Sequence, residues 1–139
     1  MVEIISGQKG KGKTKVLINR VNIDIKLTNG SIVYLDKNNK HMYELSNRIR
    51  LINVPSYNIT NFQMFLGFIY GIISGDHDLD KIYLDSFLTI GFIDKENISD
   101  AINALIQISD QYEVDFVLSV SMDKSDFPSD LVELISTAL

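Results

Sequence analysis

Gly7-Gln8-Lys9-Gly10-Lys11-Gly12-Lys13-Thr14 follows directly on the short apolar run Val2-Glu3-Ile4-Ile5. Its spacing is G-x-x-x-x-G-K-[ST], which cradles phosphate when a strand feeds it and a helix leaves it. Both flanks agree, because Lys13 to about Leu27 carries Val16, Leu17, Val21 and Ile25 near helical spacing. The glycines let successive backbone N–H groups turn toward one anion. The free N–H groups of the next helix add partial positive charge at the same point. The expected nucleotide-binding residues are therefore Gly7, Gln8, Lys9, Gly10, Lys11, Gly12, Lys13, Thr14 and Lys15. Within that set Lys13 is expected to reach the β- and γ-phosphates as a catalytic cation, and the Thr14 hydroxyl to ligate Mg²⁺. A bland alternative leaves Lys9, Lys11 and Lys15 as solvated surface lysines.

Outward from the loop, strands and helices alternate. Asn29-Gly30 stops the first helix, and Ser31 to Asp36 reads as a strand. A second short strand spans Ile49 to Val54 and is closed by Pro55. Thr60 to Ser74 reads as an apolar helix capped by Thr60, with Gly67 and Gly71 allowing close packing on a sheet. Further along, the pattern predicts a strand over Lys81 to Leu88, a helix over Asn97 to Tyr112 and a strand over Val114 to Val120. Pro128 suits a first helical turn and predicts a last helix reaching Leu139. Such alternation implies an α/β fold, three layers in α/β/α order around a mostly parallel sheet. Ile82-Tyr83-Leu84 and Phe116-Val117-Leu118 are continuous apolar runs, as strands covered on both faces should be. No linker or repeat divides the chain, so residues 1–139 are read as one nucleotide-binding domain.

Composition narrows the function. The 139 residues are 45% hydrophobic and 22% charged, which is the balance of a globular chain. A net charge of −5 argues against general affinity for nucleic acid or anionic membrane. The most apolar stretch, Phe62 to Ile73, is far shorter than the ~20 residues a membrane span needs. The chain has no cysteine, which excludes disulfides and thiolate metal sites and fits a cytoplasmic location. Asp76-His77-Asp78-Leu79-Asp80 lacks the glycine and distal glutamate of a calcium loop and reads as a solvated acidic turn.

Lys81-Ile82-Tyr83-Leu84-Asp85 is an apolar strand ending in a carboxylate, the place of the second Mg²⁺-side residue in phosphate-loop proteins. The metal set expected from sequence is thus Thr14 and Asp85. Here Ile82-Tyr83-Leu84-Asp85-Ser86-Phe87-Leu88 resembles the apolar-Asp-Ser-apolar metal strand of RecA-like ATPases within the P-loop NTPase class. The strand Ile32 to Asp36 is similar to the one that follows their phosphate-loop helix, and the order of elements is theirs. The likeness also extends to a small bacterial ATP-binding family with the same minimal core. The resemblance implies a RecA-like core that binds ATP with Mg²⁺. Departures from it bear on turnover. The glutamate that activates water in RecA-like enzymes falls at Asn38, and the position directly after the metal acid is Ser86. Asp36 is the nearest substitute and the candidate catalytic carboxylate, with Glu44 or Glu96 as more distant alternatives. A glutamine that senses the γ-phosphate in recombinases has Ser121 or Ser119 as its nearest counterpart.

Three functions follow as alternatives. The leading one is an ATP-binding protein with slow Mg²⁺-dependent hydrolysis, serving as a switch or subunit with a protein partner or in a homo-oligomer. The second is a small-molecule kinase, against which stands the absence of an arginine-rich segment after Asn97 to Tyr112. The third is an interaction module whose nucleotide is structural. No N-K-x-D guanine-reading motif occurs, which favours ATP over GTP. Arg48 and Arg50 are expected on one face of a strand, either protecting a sheet edge or serving a neighbouring subunit as arginine fingers.

Overall fold

The computed structural model describes residues Met1–Leu139. Six strands form one all-parallel sheet: β1 (Val2–Ser6), β2 (Ser31–Asp36), β3 (Arg50–Asn53), β4 (Leu79–Leu84), β5 (Asp115–Val120) and β6 (Ile135–Ala138). Their order across the sheet is β3-β2-β4-β5-β1-β6. The helices are α1 (Lys13–Leu27), α2 (Phe62–Ser74), the single turn α3 (Phe87–Ile90) and α4 (Ile98–Tyr112). No helix is long and apolar enough to cross a membrane.

Strand alternation divides the core between the two faces. Ile5, Ile32, Tyr34, Tyr83 and Val117 meet Leu17, Ile18, Val21 and Ile25 of α1 in one cluster. Val33, Leu35, Ile82, Leu84, Phe116 and Leu118 belong to the larger cluster, with residues of α2, α3 and α4. Each central strand therefore feeds both clusters, as the continuous apolar runs require. The helices lie on both faces, in keeping with three layers. One face is covered by α1 and the segment around Leu45 and Ile49, and the other by the remaining helices.

Several expected boundaries move, each for a physical reason. β4 ends at Leu84 and does not continue to Leu88. Ser86 adopts a left-handed conformation, φ 60°, and its N–H donates to the Ser119 hydroxyl at 2.7 Å, which turns the chain into α3. The expected last helix is absent: Val132–Leu134 is a 3₁₀ turn, and Ile135–Ala138 joins the sheet beside β1. Open hydrogen-bonding groups along the outer side of β1 outweigh a weak helical preference there. Asn61, not Thr60, caps α2, its side chain accepting the Met64 N–H at 2.8 Å. Arg48 precedes β3 and donates to the Ile25 carbonyl at 3.0 Å, on the α1 side. Arg50 instead opens edge strand β3 and lines a groove against α2, so the two arginines do not share a face. Gly67 and Gly71 pack against nothing; an added Cβ at either would have no neighbour within 4 Å.

Gly30 has the opposite surroundings. A Cβ there would lie 2.3 Å from the Asp78 carbonyl oxygen, where β2 and β4 begin side by side and Ser31 N–H donates to that same oxygen. Gly30→Ala should cost about 1–3 kcal/mol through forced backbone displacement. Urea unfolding of the variant beside wild type measures it; an unchanged midpoint would mean that the two strand starts separate freely.

Candidate functional site

The pleat selects the side chains that meet at the carboxyl edge. On β2, Tyr34 faces α1, Leu35 faces away, and Asp36 faces α1 again. On β4 the same alternation runs Tyr83, Leu84, Asp85, and on β5 Val117, Leu118, Ser119. Three polar side chains on three adjacent strands are thereby directed to the side on which α1 begins. The register continues from Leu35 opposite Leu84 and from Leu84 opposite Leu118, which brings Asp36, Asp85 and Ser119 level.

The loop between β1 and α1 supplies the other wall. Gly10 and Gly12 have φ of 86° and 93°, a left-handed backbone that glycine adopts without strain. The first helical bond runs from Val16 N–H to the Gly12 carbonyl at 3.2 Å, and no side chain caps the turn. The N–H groups of the first helical turn therefore remain free for an outside acceptor. Lys11 N–H and the Lys13 ammonium both donate to the Gln8 carbonyl, at 3.2 and 3.1 Å. Lys13 is only 8% exposed. Burial pushes its pKa down, against the opposing pull of Asp85. An ammonium held this way gains by meeting an anion.

Between these walls lies a cavity of about 340 Å³, lined by Lys9, Gly10, Gly12, Lys13 and Thr14 from the loop and by Lys37, Asp85, Ser86, Ser119 and Ser121 from the strand ends. No lining side chain is hydrophobic, and three ammonium groups face a single carboxylate. In a chain of net charge −5 this is a local reversal of sign. Thr14 and Asp85, the two residues expected to hold a metal, line the same cavity. Lys11 and Lys15 are exposed and lie outside its wall, as do Gly7 and Gln8.

Asp85 is fixed by its neighbours. Its Oδ1 accepts the Ser119 hydroxyl at 2.6 Å and its Oδ2 the Tyr34 hydroxyl at 2.9 Å. Ser119 in turn accepts the Ser86 N–H, so one hydroxyl ties together the ends of β4 and β5. Tyr34 is the member that sequence reading missed. The available signal was a tyrosine inside the buried strand Ile32-Val33-Tyr34-Leu35, since a buried phenol needs an acceptor. Burial, and then the charge of Asp85, raise the Tyr34 pKa, keeping the phenol a donor.

Asp36 stands beside Asp85 at the end of the neighbouring strand and is 3% exposed. Its Oδ1 accepts the Lys37 N–H at 2.7 Å, while its Oδ2 is buried without a partner. It is not among the residues that line the cavity. Burial, and then the charge of Asp85, raise its pKa to about 6. Glu44 pairs with His41 at 2.5 Å, and Glu96 lies in the turn before α4; neither lines the cavity.

No protein-family model matches this chain, and no curated protein matches it in sequence.

The raised pKa of Asp36 has a consequence for stability. Folded Asp36 holds its proton up to about pH 6, whereas the unfolded chain releases it near pH 4. Across that window the folded state binds more protons, so the Asp36 contribution to stability falls as pH rises. Asp36→Asn keeps the shape and removes the charge. It should stabilise the protein by on the order of 1–2 kcal/mol at pH 7 and by much less at pH 4. Urea unfolding at both values measures this; equal effects would exclude a buried, ionising Asp36.

Proposed function

We propose that the chain binds a nucleoside triphosphate with Mg²⁺, ATP by preference, and hydrolyses it slowly as a P-loop NTPase with a RecA-like core. The observation that carries this reading is the lysine-walled, wholly polar cavity over the uncapped start of α1. Free N–H groups at a helix start, glycines in the left-handed region and a buried lysine provide for a polyphosphate and have little use for an apolar ligand. Lys13 would leave the Gln8 carbonyl for the terminal phosphates, and Lys9 and Lys37 would flank them.

The donor set fits Mg²⁺, which takes hard oxygen ligands and keeps several waters. The Thr14 hydroxyl and Asp85 line the cavity, and the buried, unpartnered Oδ2 of Asp36, on the strand beside Asp85, would add negative charge above about pH 6. When bound, Mg²⁺ neutralises charge on the terminal phosphates. The Tyr34 and Ser119 hydroxyls hold the Asp85 carboxylate in orientation. Asp85 is the only carboxylate on the cavity wall, which leaves no second acid there to orient water. Such a wall suits binding more than rapid turnover. Apart from Asp85, the nearest carboxylate that could take up a proton is Asp36, ionised above about pH 6.

A second reading, transfer to a small acceptor, is favoured by one further cavity. It measures about 320 Å³, shares Lys37 with the first, and is lined by Val54, Pro55, Ile59, Thr60 and Thr89, among others. Its wall comes from the segment after β3 and from α3, whereas the glycine loop follows β1, three places from β2 across the sheet. Transfer would yield ADP without matching inorganic phosphate, whereas hydrolysis yields the two in equal amounts.

At a hundred times its Kd, ATP with Mg²⁺ should add about 2.7 kcal/mol of stability, measured as a rise in Tm. Lys13→Ala should remove most of that gain while the free protein stays folded. Asp85→Asn should weaken the dependence on Mg²⁺ more than metal-free binding. If no triphosphate at millimolar concentration moves the Tm, the proposal fails. Turnover of the purified chain should fall well below the enzyme median of about 10 s⁻¹, since losing a positioned base costs ~10²–10⁴-fold. Asp36→Asn should lower what remains, and brisk hydrolysis that survives this change would assign the base elsewhere.

A further inference from the structure

The most apolar helix of the chain is also the least covered. No charged residue occurs from Asn61 to Gly75, yet of the thirteen residues of α2 only Phe65 and Ile69 are buried. Met64 and Tyr70 are 43% and 44% exposed. Between α2 and edge strand β3 runs a groove of about 430 Å³. Gly67 and Gly71 form its α2 side, with open space where their Cβ atoms would be, and Phe68 and Tyr57 stand beside them with ring centroids 5.5 Å apart. Two charges of opposite sign, Arg50 and Asp76, also line the groove, and neither forms an ion pair within the chain.

We propose that this face is an interface with a second copy of the same chain, α2 packing on α2 about a twofold axis. A twofold contact must be self-complementary, each patch meeting its own image. This face has both halves of such a fit. The notch at Gly67 and Gly71 is open, and Tyr57 on its margin is 57% exposed and available to the partner's notch. The charges make the same match, because a twofold axis that sets Arg50 of one copy against Asp76 of the other forms that pair twice. A partner of different sequence would have to supply both charges in the mirrored arrangement; a second copy has them already. The absence of charge along α2 itself means that the contact buries no unpaired ion. The inference is independent of nucleotide binding, since the face lies away from the phosphate cavity.

Sedimentation equilibrium of the full chain over a range of concentrations tests it. Wild type should show a monomer–dimer equilibrium. Arg50→Glu and Asp76→Arg should each weaken the dimer by about tenfold or more, by setting like charges together. The double variant Arg50→Glu/Asp76→Arg should restore it to near the wild-type constant, the signature of direct coupling. Gly67→Leu should abolish the dimer by filling the notch. Leucine is the better helix former and has open space at that position, so the monomer should keep its circular dichroism spectrum and Tm. A wild type that stays monomeric to hundreds of micromolar overturns the proposal. So does a dimer that survives Gly67→Leu, or one that the double charge reversal fails to rescue.

Discussion

The two-residue pleat of a parallel sheet governs everything at the carboxyl edge. Because all six strands run the same way, every strand end that carries chemistry arrives at one edge. Because side chains alternate, Asp36, Asp85 and Ser119 point to the α1 face while Leu35, Leu84 and Leu118 point into the opposite core. A slip of one residue in β4 would bury leucine at the cavity and send the carboxylate into the larger apolar cluster. The apolar residues thus enforce the register, and the polar site inherits its geometry from them.

What could be read in the sequence follows from where the information is local. The glycine loop and the helix after it declare themselves, because the loop pattern, the strand before it and the periodicity after it agree. β2 and α1 occupy the residues expected. Asp85 was also legible, as the first polar residue after an apolar run.

Other features depend on partners distant in sequence. Ser86 turns left-handed without being glycine, and what holds it there is Ser119, thirty-three residues later. The segment after Pro128 spaces Leu131, Leu134 and Ile135 as a helix would, but β1 offers an unpaired edge that no local pattern reveals. Tyr34 looked like core because most of its ring is core; only the hydroxyl belongs to the site. From its glycines, α2 was expected to pack closely on the sheet. Its exposure follows from the sheet order, which leaves β3 at an edge with no neighbour beyond.

The position of β1 has a kinetic side. Its partners on either side are β5 and β6, so Val2 pairs with Phe116 and Ile4 with Ile135 across more than a hundred intervening residues. Closing such long loops costs entropy before any pairing returns it. Sheets dominated by distant pairings fold slowly for that reason. The strand that supports the glycine loop is therefore among the last parts of the sheet to be secured, one place in from the edge strand β6. A partly folded chain could hold β2, β4 and β5 together and still lack a rigid loop. The proposed binding of phosphate would then require the completed fold, and a ligand would report late on whether folding has finished.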